Sequence, residues 1–147
     1  MKDKKYKPSK LLSIFRRKGG EGLMTKIINN ENSPDFHHQF TFLKTGEQPL
    51  LCFKQDESNW LLVTGDRIIE EKNGATLFIP YRELIEVGIA LYEEYKDGVI
   101  DKTAFTRLVL KDTNGKSYII KSEKGEAYKG IYQMLHHVAS TAKDSTT

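Results

Sequence analysis

From residue 50 onward the chain alternates short apolar runs with turn signals, and it closes on one stretch with helical spacing. Residues 50–54 and 60–64 are apolar enough for strands, with a polar segment between them. Gly65 and Asp66 suit a compact turn before residues 67–70. Asn73-Gly74 is the strongest dipeptide signal for a two-residue hairpin, because both positions tolerate positive φ, so residues 75–79 should return antiparallel. Pro80 ends that strand or holds it at an edge. Three more strands are expected at residues 84–91, 105–111 and 116–121. The last two flank Asn114-Gly115, and a two-residue turn there would set Leu110 opposite Ile119. Seven strands then precede a helix that starts between Ser122 and Glu126. Tyr128, Ile131, Leu135 and Val138 recur along it at spacings of three and four, and Gly130 offers a place of close approach.

Before residue 50 the pattern predicts three helices. Residues 10–18, preceded by Pro8 and Ser9, carry Leu11, Ile14 and Phe15 on one face, with Gly19-Gly20 as the stop. Residues 21–30 place Leu23 four before Ile27 and Met24 four before Ile28, a wide apolar face. Residues 33–46 begin with Ser33 as a cap, Pro34 at the first helical position and Asp35 at the positive dipole end, and stop at Gly46. Phe36, Phe40 and Leu43 then share a face, leaving His37 and His38 toward solvent. The charged stretch 93–102 reads as a mobile connection or an extended hairpin tip. Its Glu93, Glu94, Asp97 and Asp101 lack the alternation of a calcium loop.

Composition changes this picture in two ways. The 147 residues are 38% hydrophobic and 29% charged, enough for one core, and no run approaches the roughly 20 apolar residues of a spanning helix. The net charge of +3 is unevenly spread: residues 1–26 hold nine Lys or Arg against two acids, and the remainder 14 against 18. The chain therefore reads as a basic N-terminal arm with short helices (1–35), a domain (36–140) and a disordered tail (141–147). The arm is either a solvated leader or a segment drawn to phosphates, and the apolar face of residues 10–18 suits docking on the body or on a sister subunit equally well. The single cysteine, Cys52, lies inside a strand and reads as a buried, inert thiol. Trp60, at the head of an apolar strand, reads as a core residue.

The order of elements resembles the bacterial pleckstrin-homology-like (PH-like) family. The likeness rests on Leu43-Lys-Thr-Gly46-Glu47 before the first strand, on Trp60-Leu-Leu-Val-Thr-Gly-Asp-Arg-Ile-Ile69, on Ile79-Pro-Tyr-Arg-Glu-Leu-Ile-Glu-Val87, and on the hairpin before the closing helix. It covers residues 40–140. It implies a mainly β (α+β) fold, a seven-stranded, partly open barrel closed by a C-terminal α-helix, here with N-terminal helices in front. Phosphoinositide-binding members carry several bases on the first strand and the loop after it. This chain has Lys54 alone there, beside Asp56 and Glu57, so no specific phosphoinositide is expected.

No nucleophile elbow, phosphate loop, dinucleotide fingerprint or zinc-protease helix is present, so no enzyme, cofactor or metal is expected. Tyr6 and Phe15 are the arm's only aromatics and no reading motif accompanies them, so nucleic acid is not an expected partner. The leading expectation is a cytoplasmic interaction module that binds a protein partner or assembles as a homo-oligomer, with Tyr92 and Tyr95 as contact residues. The alternative is peripheral attachment to the anionic inner face of a membrane. There Lys10, Arg16, Arg17 and Lys18 would supply attraction, and Leu11, Ile14 and Phe15 shallow insertion.

Overall fold

All seven strands expected after residue 50 form, and an eighth precedes them. A computed structural model describes residues 7–144. The strands are β1 (Thr25–Ile27), β2 (Pro49–Asp56), β3 (Asn59–Thr64), β4 (Arg67–Lys72), β5 (Ala75–Pro80), β6 (Leu84–Ile89), β7 (Arg107–Asp112) and β8 (Ser117–Lys121). The α-helices are α1 (Pro8–Lys18), α2 (His37–Phe40), α3 (Leu91–Lys96) and α4 (Glu126–Asp144). The strands form two antiparallel sheets, of order β1-β2-β3-β4-β5 and β6-β7-β8. The Asn73-Gly74 hairpin forms with both residues at positive φ, 48° and 87°, and pairs Lys72 with Ala75.

Four expectations are corrected. Residues 21–30 are not a helix. Thr25 and Ile27 are β-branched, and they join Lys26 as an edge strand on β2, in register Thr25 to Phe53. Leu23, expected on the apolar face, is 91% exposed. The helix expected over 33–46 shrinks to a 3-10 turn, Ser33–Phe36, running into α2, and Asn32 rather than Ser33 takes the cap position. The Asn114-Gly115 connection is longer than two residues. Gly115 takes φ 80° and Asp112 N–H donates to Lys116 O, so Leu110 faces Tyr118 instead of Ile119. Finally, the stretch 93–102 is not a hairpin tip: α3 occupies Leu91–Lys96, and the strand expected through Leu91 ends at Ile89. Leu91, Glu93, Glu94 and Lys96 are good helix formers. Gly98, at φ 82°, stops them: its N–H donates to Tyr95 O while Val99 N–H donates to Glu94 O, the paired bonds of a Schellman stop.

The five-stranded sheet is apolar on both faces, which is why β2 and β3 read as continuous hydrophobic runs. One face, with Leu51, Phe53, Leu61, Val63, Ile68 and Ile79, packs toward the three-stranded sheet and α4. The other, with Cys52, Trp60, Leu62 and Ile69, is covered by Phe36, Phe40, Phe42 and Leu43 from the segment before β2. Beside that second layer Arg67 makes two hydrogen bonds to the buried Glu47, at 2.9 and 3.0 Å, and a third to Phe42 O at 2.8 Å. His38 lies between Trp60 and Phe42, its Nε2 3.2 Å from Glu71 Oε1, so only His37 of the pair stands clear of the body.

No backbone ladder joins the two sheets among the described residues, so the fold is not a closed barrel. Side chains of β4 close the seam instead. Glu70 accepts from Lys121 N–H at 2.8 Å, and Lys72 Nζ donates to Ile119 O at 2.6 Å. Those are groups of a free β8 edge that would otherwise be open to pairing.

The expected arm is packed against the body. Leu11, Ile14 and Phe15 are at most 7% exposed and share the main core with Tyr128, Ile131 and Leu135 of α4. Two glycines permit the crossing. A Cβ on Gly19 would lie 2.0 Å from Glu126 O, and one on Gly130 would lie 2.9 Å from Phe15 O. Gly130 thus serves the close approach expected of it, toward α1. The carboxylate of Glu123, just before α4, then accepts from Leu23 N–H, Met24 N–H and the Thr25 hydroxyl at 2.8 to 3.0 Å, fixing the link from α1 to β1. At the other end α4 runs through residues 141–144, expected in the tail. Residues 1–6 of the arm and 145–147 of the tail lie outside the described residues.

Candidate functional site

Two surfaces of this body stand out, one apolar and one basic. The apolar surface is built on α3. Ala90, just before the helix, is buried, and Ala90 N–H donates to Arg107 O. Glu94 is fully buried, and its Oε2 accepts from Thr106 N–H at 2.7 Å and Arg107 N–H at 2.9 Å. Its Oε1 lies 3.2 Å from Arg107 Nη2, off the line of the N–H bonds, an ion pair without a directed hydrogen bond. Arg107 also reaches Asp97 at 2.6 Å. These two carboxylates hold the guanidinium's pKa above its ordinary value, although burial works against them. Tyr128 of α4 donates to Arg107 O at 2.8 Å. A six-residue helix, too short to persist alone, is therefore clipped to β7 by its polar side.

Clipping the polar side inward turns the apolar side outward. Leu91, Tyr92 and Tyr95 are exposed, Tyr92 to 72%, and Ile89 and Ile100 flank them. Five of the eight large hydrophobic side chains exposed among the described residues fall within residues 89–100. Apolar surface in excess of packing needs is therefore concentrated on one segment. Tyr95 leans on the buried Phe105, edge to face at 6.3 Å, while Tyr92 stands free of that contact. Lys96, Asp97, Asp101 and Lys102 rim the patch with both signs of charge. Tyr92 and Tyr95 are thus brought together with Ile89, Leu91 and Ile100, which the sequence reading did not single out. The helix formers Glu93-Glu94-Tyr95-Lys96 followed by Asp97-Gly98 were a legible helix and stop beside them.

The basic surface lies between α1 and α4. Lys10, Ile14, Arg17 and Lys18 face Gln133, His136, His137 and Ser140 across an open groove of about 300 Å³. The seven residues named for the arm thus divide. Leu11, Ile14 and Phe15 go to the core, so inserting them into lipid would require extracting them from it; Lys10, Arg16, Arg17 and Lys18 stay exposed. The spacing of Gln133, His137 and Ser140 along one side of α4 was the signal for the second wall.

The remaining candidates are accounted for structurally. Lys54 is ion-paired with Glu57 and donates to Asp35 O at 2.8 Å, so it is already engaged within the chain. Cys52 is fully buried, and desolvation pushes its thiol to about 12 despite Lys54 nearby, which leaves it protonated and unreactive. Among the described residues no three His, Cys, Asp or Glu side chains converge as metal ligands, and no helix is long and apolar enough to cross a membrane. Comparison with protein-family models, with curated proteins and with solved structures gave no match.

Proposed function

We propose that this chain is a PH-like, non-catalytic interaction module that associates with a second copy of itself through the α3 surface. The succession of four antiparallel strands, a three-stranded sheet and the closing helix α4, with β1 and α1 as additions, supports the PH-like reading. The observation that carries the reading is the buried Glu94 clip. A carboxylate is costly to bury, and here it orients a short helix whose apolar side faces solvent. Such rigid presentation on a scaffold is what a contact surface needs, because little conformational freedom is lost on association.

A second copy fits the chemistry of the patch. Tyrosine and leucine side chains can form an apolar centre. The rim carries Lys96 and Lys102 as well as Asp97 and Asp101, so it can meet its own image across a two-fold axis without uniform repulsion. A standard interface covers roughly 800 Å² per partner, so these residues form the centre of a wider contact.

Sedimentation velocity from about 1 to about 200 μM tests this. The expected result is a reversible dimer that weakens at least about tenfold in the double variant Tyr92→Glu/Tyr95→Glu, with unchanged melting temperature. A wild-type chain that stays monomeric throughout, or a dimer indifferent to that variant, would count against the reading.

A further inference from the structure

The α1/α4 groove is lined by cations and neutral polar side chains. Its lining contains two lysines, one arginine, two histidines, one glutamine and one serine around the apolar side chain of Ile14, and no carboxylate. Helix α1 has no acidic residue in its first turn, and among the described residues Lys10, Arg17 and Lys18 have no ion-pair partner. Arg17 and Lys18 complement the negative end of the α1 dipole. Lys10 does not, because it sits in the first turn, where the dipole is positive and a cation is disfavoured.

Geometry sets the spacing of these charges. Gly19 abuts Glu126 and Gly130, so α1 and α4 meet closely at one end, and the helices run on from there with Lys10 and Lys18 eight residues apart. That separation is about 12 Å along the axis at 1.5 Å per residue. Positive charge is therefore held at both ends of the groove, with the neutral donors Gln133 and Ser140 among its lining residues. The cations cannot relax by moving the helix, because Leu11 and Phe15 anchor its opposite side in the core.

We infer that the α1/α4 groove is a binding site for a phosphate-bearing anion, with Lys10 and Arg17 as its principal contacts. A phosphate with several charged oxygens can accept from both at once, and charge-assisted hydrogen bonds of this kind are about twice as strong as neutral ones. This site is separate from the α3 surface and does not depend on self-association. The phosphate can belong to a soluble polyphosphate or to a lipid headgroup; with Leu11 and Phe15 in the core, the headgroup mode is electrostatic contact without insertion.

Two probes distinguish these sources on the full-length chain: calorimetric titration with inorganic tripolyphosphate, and co-sedimentation with phosphatidylcholine vesicles carrying about 20% phosphatidic acid. Each is run on wild type, on Lys10→Gln/Arg17→Gln, and on Arg16→Gln, which removes a charge from the same helix outside the groove. All substituted positions are exposed, so the three proteins should melt together. Binding of tripolyphosphate that falls about tenfold or more in the double variant and less than about twofold in Arg16→Gln supports the site with a soluble ligand. The same pattern with vesicles alone supports it with a headgroup. No binding of either probe, or an equal loss in both variants, overturns it.

Discussion

Helices α1 and α3 meet the body in opposite ways. Helix α1 turns Leu11, Ile14 and Phe15 inward and leaves cations outside, whereas α3 turns a carboxylate inward and leaves Leu91, Tyr92 and Tyr95 outside. The first arrangement is the ordinary economy of an amphipathic helix: apolar area leaves water and the helix is stabilised by packing. The second sacrifices that gain. A helix held by a buried ion while its apolar side stays wet gains little from packing, and it is this contrast with α1 that the proposed contact surface rests on.

The sharpest way to break the contrast is to truncate one aromatic on each helix. Phe15→Ala should cost about 3–5 kcal/mol of unfolding free energy, because a fully buried ring leaves a cavity between α1 and α4. Tyr92→Ala should stay within about 0.5 kcal/mol, because the side chain is 72% exposed. Urea denaturation of both variants checks this, and equal losses would erase the distinction.

A smaller effect is expected at the clip. Glu94→Ala strands the amides of Thr106 and Arg107 and should cost about 3 kcal/mol at most if water cannot replace both bonds. Proteolysis should then cut near α3 well before global unfolding. Survival of α3 protection in this variant would show that the buried acid does not orient the helix.

The smallest effect concerns two buried carboxylates, Glu47 just before β2 and Glu70 of β4. Burial pushes Glu47 up, but the Arg67 guanidinium, Lys44 N–H and Thr64 hydroxyl together bring its pKa below the ordinary value. Glu47 therefore contributes stability above about pH 4.5 that is lost as pH falls through its lowered value. Burial also pushes Glu70 up, and the Lys121 amide and Lys72 do not fully offset it. Its contribution has the opposite sign: fully present below the ordinary carboxylate value and lost as pH rises through the raised one. Glu70→Gln keeps an oxygen for Lys121 N–H and loses the ion. Its melting temperature relative to wild type should be most favourable at neutral pH, and that advantage should shrink as pH falls through the raised value and level off below about pH 4.5. A constant difference across pH would contradict the assignment.

Much of the sheet was legible because alternation and turn chemistry act locally. Asn73-Gly74 specified its hairpin without help from the rest of the chain, and the spacing of Tyr128, Ile131 and Leu135 named the buried face of α4. What was not legible depended on partners distant in sequence. Leu23 and Ile27 have helical spacing, yet Glu123, about 100 residues away, captures the Leu23 and Met24 amides, and β2 offers Thr25 a ladder. The apolar face of α1 allowed docking on the body, but the charge beside it equally allowed a free arm, and its counterpart, the glycine-lined side of α4, is remote in sequence. For α3 the opposite held: its stop signal at Gly98 was local and readable, but Glu94 looked like one more surface acid until Thr106 and Arg107 were placed beside it.

Amide hydrogen exchange at about 5 and about 200 μM protein tests both halves of the contrast at once. Residues 11–18 of α1 should be protected nearly as well as the central strands at both concentrations, and residues 91–96 of α3, partly protected by the clip at the lower one, should gain further protection at the higher one. Exchange of α1 at the rate of a free arm, or α3 protection that ignores concentration, would contradict it.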